Sequence, residues 1–122
     1  MRYYDTLLET KRGPYTVIVD KTWEDLHPRD CFDDTVTDIN EICKDIDRGH
    51  LEWFMLRTRV FYEGVELSCE YLGGMLYEDP SECLTDGSAE DQIWMALDSA
   101  KKTALEYKQK FADLDVNIEE TA

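Results

Sequence analysis

Apolar and polar positions are most clearly ordered between Leu51 and Tyr77, LEWFMLRTRVFYEGVELSCEYLGGMLY. Aromatic and β-branched residues at period two predict two strands here. The run breaks at Glu63-Gly64, a two-residue hairpin turn. That turn sets Tyr62 opposite Val65, Val60 opposite Leu67, Thr58 opposite Cys69 and Leu56 opposite Tyr71, all on one apolar face. The other face then carries Trp53, Met55, Arg57, Arg59 and Phe61 against Glu66, Ser68 and Glu70, with Arg57 beside Glu70. A slip of one residue would carry the charges into the core, so the pattern predicts this register. Gly73-Gly74 marks a bulge or bend in the second strand.

The flanking chain supplies further elements. Thr16–Val19 is a β-branched run and predicts a strand. Tyr3–Thr10 fits a partner strand across Lys11-Arg12-Gly13-Pro14, and equally a short helix. Trp23–Phe32, with its His27-Pro28 pair, reads as a loop. Asp33, Asp34 and Thr35 are helix-capping types, and Val36, Ile39, Cys43 and Ile46 follow at helical spacing with Ile42 beside them. Gly49 closes this helix, predicted at 35–48. Residues 78–87 form a polar loop with an Asp86-Gly87 turn signal. Ser88 then opens a helix over 89–112, with Ser88 and Asp91 as a capping box. Ile93, Leu97, Ala100, Ala104 and Phe111 form its stripe, widened by Trp94 and Leu105. The expectation is one α+β domain of order ββαββα. Its antiparallel sheet, built on the hairpin at about 51–77, packs against two helices, with an acidic, fraying segment at 113–122.

Composition changes this picture little. Apolar residues make up 43% of the 122, enough for a core. No stretch approaches the length of a membrane span and no signal peptide opens the chain, which predicts a cytoplasmic protein. Cys31, Cys43, Cys69 and Cys83 are widely spaced, with Cys43 and Cys69 at expected core positions. They read as reduced, buried thiols rather than as disulfides or zinc ligands.

Charge changes it more. Twenty-eight acids against 13 bases leave a net −15. Such a surface repels nucleic acid and anionic membrane and attracts basic proteins. Val60–Ala100 holds ten acids and no lysine or arginine. Glu78, Asp79, Glu82, Asp86, Glu90 and Asp91 crowd its loop and helix start, a charge density approaching that of a duplex backbone. A solvated acidic face is the bland account of the same residues. A second group, Asp30, Asp33, Asp34, Asp38, Glu41, Asp45 and Asp47, is diluted by Arg29, Lys44 and Arg48.

Signatures of catalysis are lacking: no P-loop, GxSxG or HExxH is present, nor a calcium-loop pattern. His27 and His50 read as structural or surface residues. The adjacent pairs Asp33-Asp34 and Glu90-Asp91 are the only hints of metal ligation, and neither metal nor cofactor is expected. Trp53, Met55 and Phe61 share one sheet face. They are covered by a neighbouring element, or they form an exposed aromatic patch for self-association or clients; Trp94, Tyr71 and Tyr77 pose the same choice.

The YEGV turn, the LGG bend followed by a tyrosine, and the acidic helix start give residues 50–110 a plan that resembles small acidic phage- and plasmid-encoded proteins. That resemblance implies inhibition of restriction or CRISPR systems by imitation of nucleic acid, and it transfers no functional residue. Arg57, Arg59 and the lysine-rich end of the last helix confine any mimicry to one side. The leading expectation is a non-enzymatic inhibitor that binds a basic, nucleic-acid-binding protein through the six clustered acids. The alternatives are a dimeric chaperone-like adaptor using Trp53, Met55 and Phe61, and a small metal-dependent hydrolase.

Overall fold

The computed structural model describes residues 3–32 and 38–118. Four antiparallel strands lie side by side in chain order: β1 (Asp5–Arg12), β2 (Tyr15–Trp23), β3 (Glu52–Tyr62) and β4 (Val65–Tyr77). Two helices, α1 (Pro28–Cys31) and α2 (Ile39–Asp47), occupy the connection from β2 to β3. A 3-10 helix, Pro80–Leu84, leads from β4 into α3, Ser88–Phe111. The α+β class and the ββαββα order are as expected, and Tyr3–Thr10 resolves as strand rather than helix.

The core lies between the sheet and α3. Val17 and Val19 of β2, Phe54, Leu56 and Val60 of β3 and Met75 of β4 meet Ile93, Ala96, Leu97 and Ala100 of α3. Each fully buried aliphatic side chain there contributes about 1.5–3 kcal/mol. The alanines Ala89, Ala96, Ala100 and Ala104 keep the helix close to the strands. Of the predicted stripe, Ile93, Leu97, Ala100 and Ala104 do face the core, while Phe111 and the widening residues Trp94 and Leu105 are more than half exposed. Ser88 does not cap α3 as expected. The N-cap position is Gly87, and the Asp86 carboxylate accepts from the Ser88 N–H at 2.9 Å.

Helix α2 begins later than predicted. Asp38 caps it, accepting from the Glu41 N–H at 3.2 Å. The expected caps Asp33, Asp34 and Thr35, and Val36, lie outside the described residues. It lies against α1, to which the Arg29 guanidinium ties it through Asn40 at 2.6 Å, while α3 supplies the helical side of the core. The expected loop at Trp23–Phe32 contains α1, whose N-cap is His27, with Nδ1 accepting from the Arg29 N–H at 3.1 Å.

The hairpin turn falls where predicted, with Glu63 at φ 46 and Gly64 at φ 82. Both central residues are left-handed, as a type I′ turn requires. Beyond the turn the register departs from expectation. Tyr62 pairs with Val65 and Phe61 with Glu66, but Val60 then pairs with Ser68, leaving Leu67 as an extra residue. This bulge shifts every later partner: Thr58 faces Glu70, Arg57 faces Tyr71 and Arg59 faces Cys69. Ser68 and Glu70 thereby turn toward α3, where both find partners. Ser68 donates to the Ala96 carbonyl at 2.7 Å, and Ser99 donates to Glu70 at 2.9 Å. Polar groups that would be costly in an apolar layer are thus satisfied at its edge. Cys69 moves to the open face and is exposed, not buried; Cys43 is half-buried and Cys31 exposed. Cys83 is the buried thiol, and burial pushes its pKa up to about 11. A second bulge sits at Gly73-Gly74, as expected, opposite Met55.

Candidate functional site

The six acids singled out from the sequence run from the end of β4 through the 3-10 helix to the start of α3, and they are not equivalent. Asp79 caps the 3-10 helix, accepting from the Ser81 N–H at 3.0 Å and the Ser81 hydroxyl at 2.9 Å. Asp86 accepts from the Tyr77 hydroxyl at 2.5 Å and caps the start of α3. Glu90 takes both ends of the Arg12 guanidinium, at 2.9 and 2.8 Å, across 78 residues of sequence. Half of the cluster is therefore employed in holding the loop and the helix start in place. These contacts also set the charge. The Ser81 N–H and hydroxyl hold Asp79 below the usual carboxylate range; the Tyr77 hydroxyl and then Ser88 do so for Asp86; Arg12 does so for Glu90.

Glu78, Glu82 and Asp91 are different. All three are exposed, and none of their carboxylates has a hydrogen-bond or ion-pair partner among the described residues. They flank Asp79 and Asp86, which are also exposed and can accept further donors. Glu90 is offset by Arg12, so its charge counts for little outside the molecule. The Arg12–Glu90 pair was not anticipated, since nothing in the local sequence links a turn residue of β1 to the first turn of α3.

The sheet face away from α3 holds the other predicted surface. Trp53 is half-buried: its Nε1 donates to the Leu26 carbonyl at 2.8 Å, and its ring lies 5.6 Å from that of Phe32. The β2–β3 connection thus covers this end of the face. Phe61 is half-buried at the other end, 5.2 Å from the Arg59 guanidinium. Between them lies a network not foreseen from the sequence. Asp20 is 1% exposed and accepts from Arg57 Nε at 3.0 Å, from Arg57 Nη2, from Arg59 Nη2 at 3.3 Å and from the Thr6 hydroxyl at 3.1 Å. The pairing of β2 with β3 places Asp20 opposite Arg57. Because the Leu67 bulge removes Glu70 from this face, Asp20 takes the role expected of Glu70. Trp53, Met55 and Phe61 are spread along β3 rather than gathered into one exposed patch.

Among the described residues, no group of three or more His, Cys, Asp and Glu side chains is placed to hold a metal ion. Nor is any helix of the described residues long and apolar enough to cross a membrane. His50 lies 3.8 Å from Asp45, and His27 is occupied as a helix cap. The chain matches no protein-family model, no curated protein and no solved structure with which it was compared.

Proposed function

We propose that this chain is a non-enzymatic acidic binding protein that occupies a basic, nucleic-acid-binding surface of a protein partner. The observation that carries the reading is the contrast within the acidic cluster. The carboxylates of Glu78, Glu82 and Asp91 make no cap or ion pair among the described residues, while Asp79 and Asp86 are anchored and held ionised beside them. Carboxylates on a short, capped loop present negative charge without the ordering cost of a flexible acidic segment. Such ionised groups carry the charge of the phosphates that a nucleic-acid-binding groove is built to receive. Inhibition of a host defence system by a phage-encoded protein is one setting that suits such a mimic.

The test is competition. The immobilised chain is offered the heparin-retained proteins of a bacterial lysate at low salt, and retention is followed as salt rises and as duplex DNA is added. Retention that falls steeply with salt and is displaced by DNA is the expected result. Retention that persists in high salt with DNA present would overturn the proposal and move attention to the face bearing Trp53, Met55 and Phe61.

A further inference from the structure

Residues 113–118 read Asp-Leu-Asp-Val-Asn-Ile, a strict alternation of polar and apolar side chains. In an extended chain Leu114, Val116 and Ile118 project to one side. No regular secondary structure holds them, and they are 55%, 78% and 93% exposed. Exposed apolar residues scattered singly need no explanation, but three at strand spacing form a recognition stripe.

A matching surface lies beside the second half of α3. A groove of about 720 Å³ opens between the two hairpin turns and the helix, floored by Tyr15, Tyr62, Val65, Leu67, Tyr107 and Phe111, with Lys108 at its rim. It shares Pro14 and Tyr15 with a smaller hollow of about 280 Å³ that reaches Trp94 and Lys101. The groove is apolar along its floor and basic at its edge. Lys108 lines the groove, and Lys101 lines the smaller hollow beside it. Asp113 on the segment complements Lys108, and the segment's apolar side complements the floor; Asp115 accepts from the Asn117 N–H at 2.9 Å and from its Nδ2 at 3.0 Å, a local turn that opens on seating.

We propose that the 113–118 segment of one copy seats in this groove of a second copy, and the reverse, as a symmetric exchange. The segment's own groove is not its occupant. The chain leaves α3 through a turn, with the Leu114 N–H donating to the Phe111 carbonyl at 3.1 Å, and continues with its apolar side chains in solvent. Reciprocal exchange makes each contact twice, so two modest contacts add up to one stable pair. This interface is separate from the acidic loop and does not depend on its function.

Sedimentation equilibrium of the full chain tests the exchange. The expected result is a dimer. The double variant Val116→Asp/Ile118→Asp, which spoils the segment, and Tyr107→Asp, which spoils the groove, should each sediment as monomers with native circular dichroism. Mixed together at high concentration, they should form a heterodimer weaker than the unaltered dimer, because one of the two contacts is restored. A monomeric full chain would overturn the proposal, as would a dimer that survives both variants or a mixture that stays monomeric. A monomeric full chain whose unfolding temperature falls in Val116→Asp/Ile118→Asp would assign the segment to its own groove instead.

Discussion

Asp20 accepts two guanidinium groups and a threonine hydroxyl while almost wholly removed from water. Removing one member of such a buried set strands the others, which is far costlier than the net worth of the set. Asp20→Ala is therefore expected to lower stability by about 3–5 kcal/mol in denaturant unfolding; a loss under about 1 kcal/mol would mean that water replaces the carboxylate. Thr58 makes the opposite case. Its hydroxyl is buried under α3 and has no hydrogen-bond partner among the described residues. Thr58→Val keeps the shape and removes the unpaired group, so stability should stay level or rise by about 1 kcal/mol. A clear loss would indicate a partner for that hydroxyl. At this scale the sequence was least legible. The strand carrying Asp20 was predicted, but its partners lie 37 and 39 residues away. They could be assigned only by knowing that β2 pairs with β3 and that a bulge takes Glu70 elsewhere.

The elements themselves were well marked. Period-two alternation and the Glu63-Gly64 turn gave the β3–β4 hairpin, and Gly73-Gly74 gave its second bulge. The first bulge, at Leu67, was invisible because no glycine marks it. Its cause is tertiary: Ser68 and Glu70 gain α3 as a hydrogen-bonding neighbour. The core stripe of α3, Ile93, Leu97, Ala100 and Ala104, was legible from its spacing, whereas Trp94, Leu105 and Phe111, counted with it for their apolar bulk, lie exposed. One contact between elements carries a pH signature. Arg12 lowers the Glu90 pKa from its ordinary 4.5. A carboxylate depressed on folding adds stability that is present above the ordinary value and lost as pH falls through the depressed one. Stability should therefore decline below pH 4.5, and Glu90→Gln should remove part of that decline. An unchanged acid profile in Glu90→Gln would show that the pair does not couple β1 to α3 in solution.

For the molecule as a whole, charge was the most legible property and the hardest to interpret. A net −15 disfavours contact with a polyanion but does not say which acids act. The fold sorts them. Asp79, Asp86 and Glu90 are committed to caps and an ion pair, whereas Glu78, Glu82 and Asp91 are not. Sequence reasoning took all six as one group and could not divide them, because the division depends on Tyr77, Ser81 and Arg12. The lysine-bearing half of α3 leaves the molecule two-sided, with acid presented at one site and an apolar, basic-edged groove at another.

That division makes a clean experiment available. Glu78→Lys, Glu82→Lys and Asp91→Lys combined reverse the unemployed charges and leave every cap and ion pair of the loop intact. Binding of this triple variant to the heparin-retained lysate proteins, measured at low salt beside the unaltered chain, tests the acidic-site account most directly. The account predicts affinity weaker by at least about tenfold, roughly 1.4 kcal/mol, with the unfolding temperature unchanged. Equal binding by the folded triple variant would contradict it.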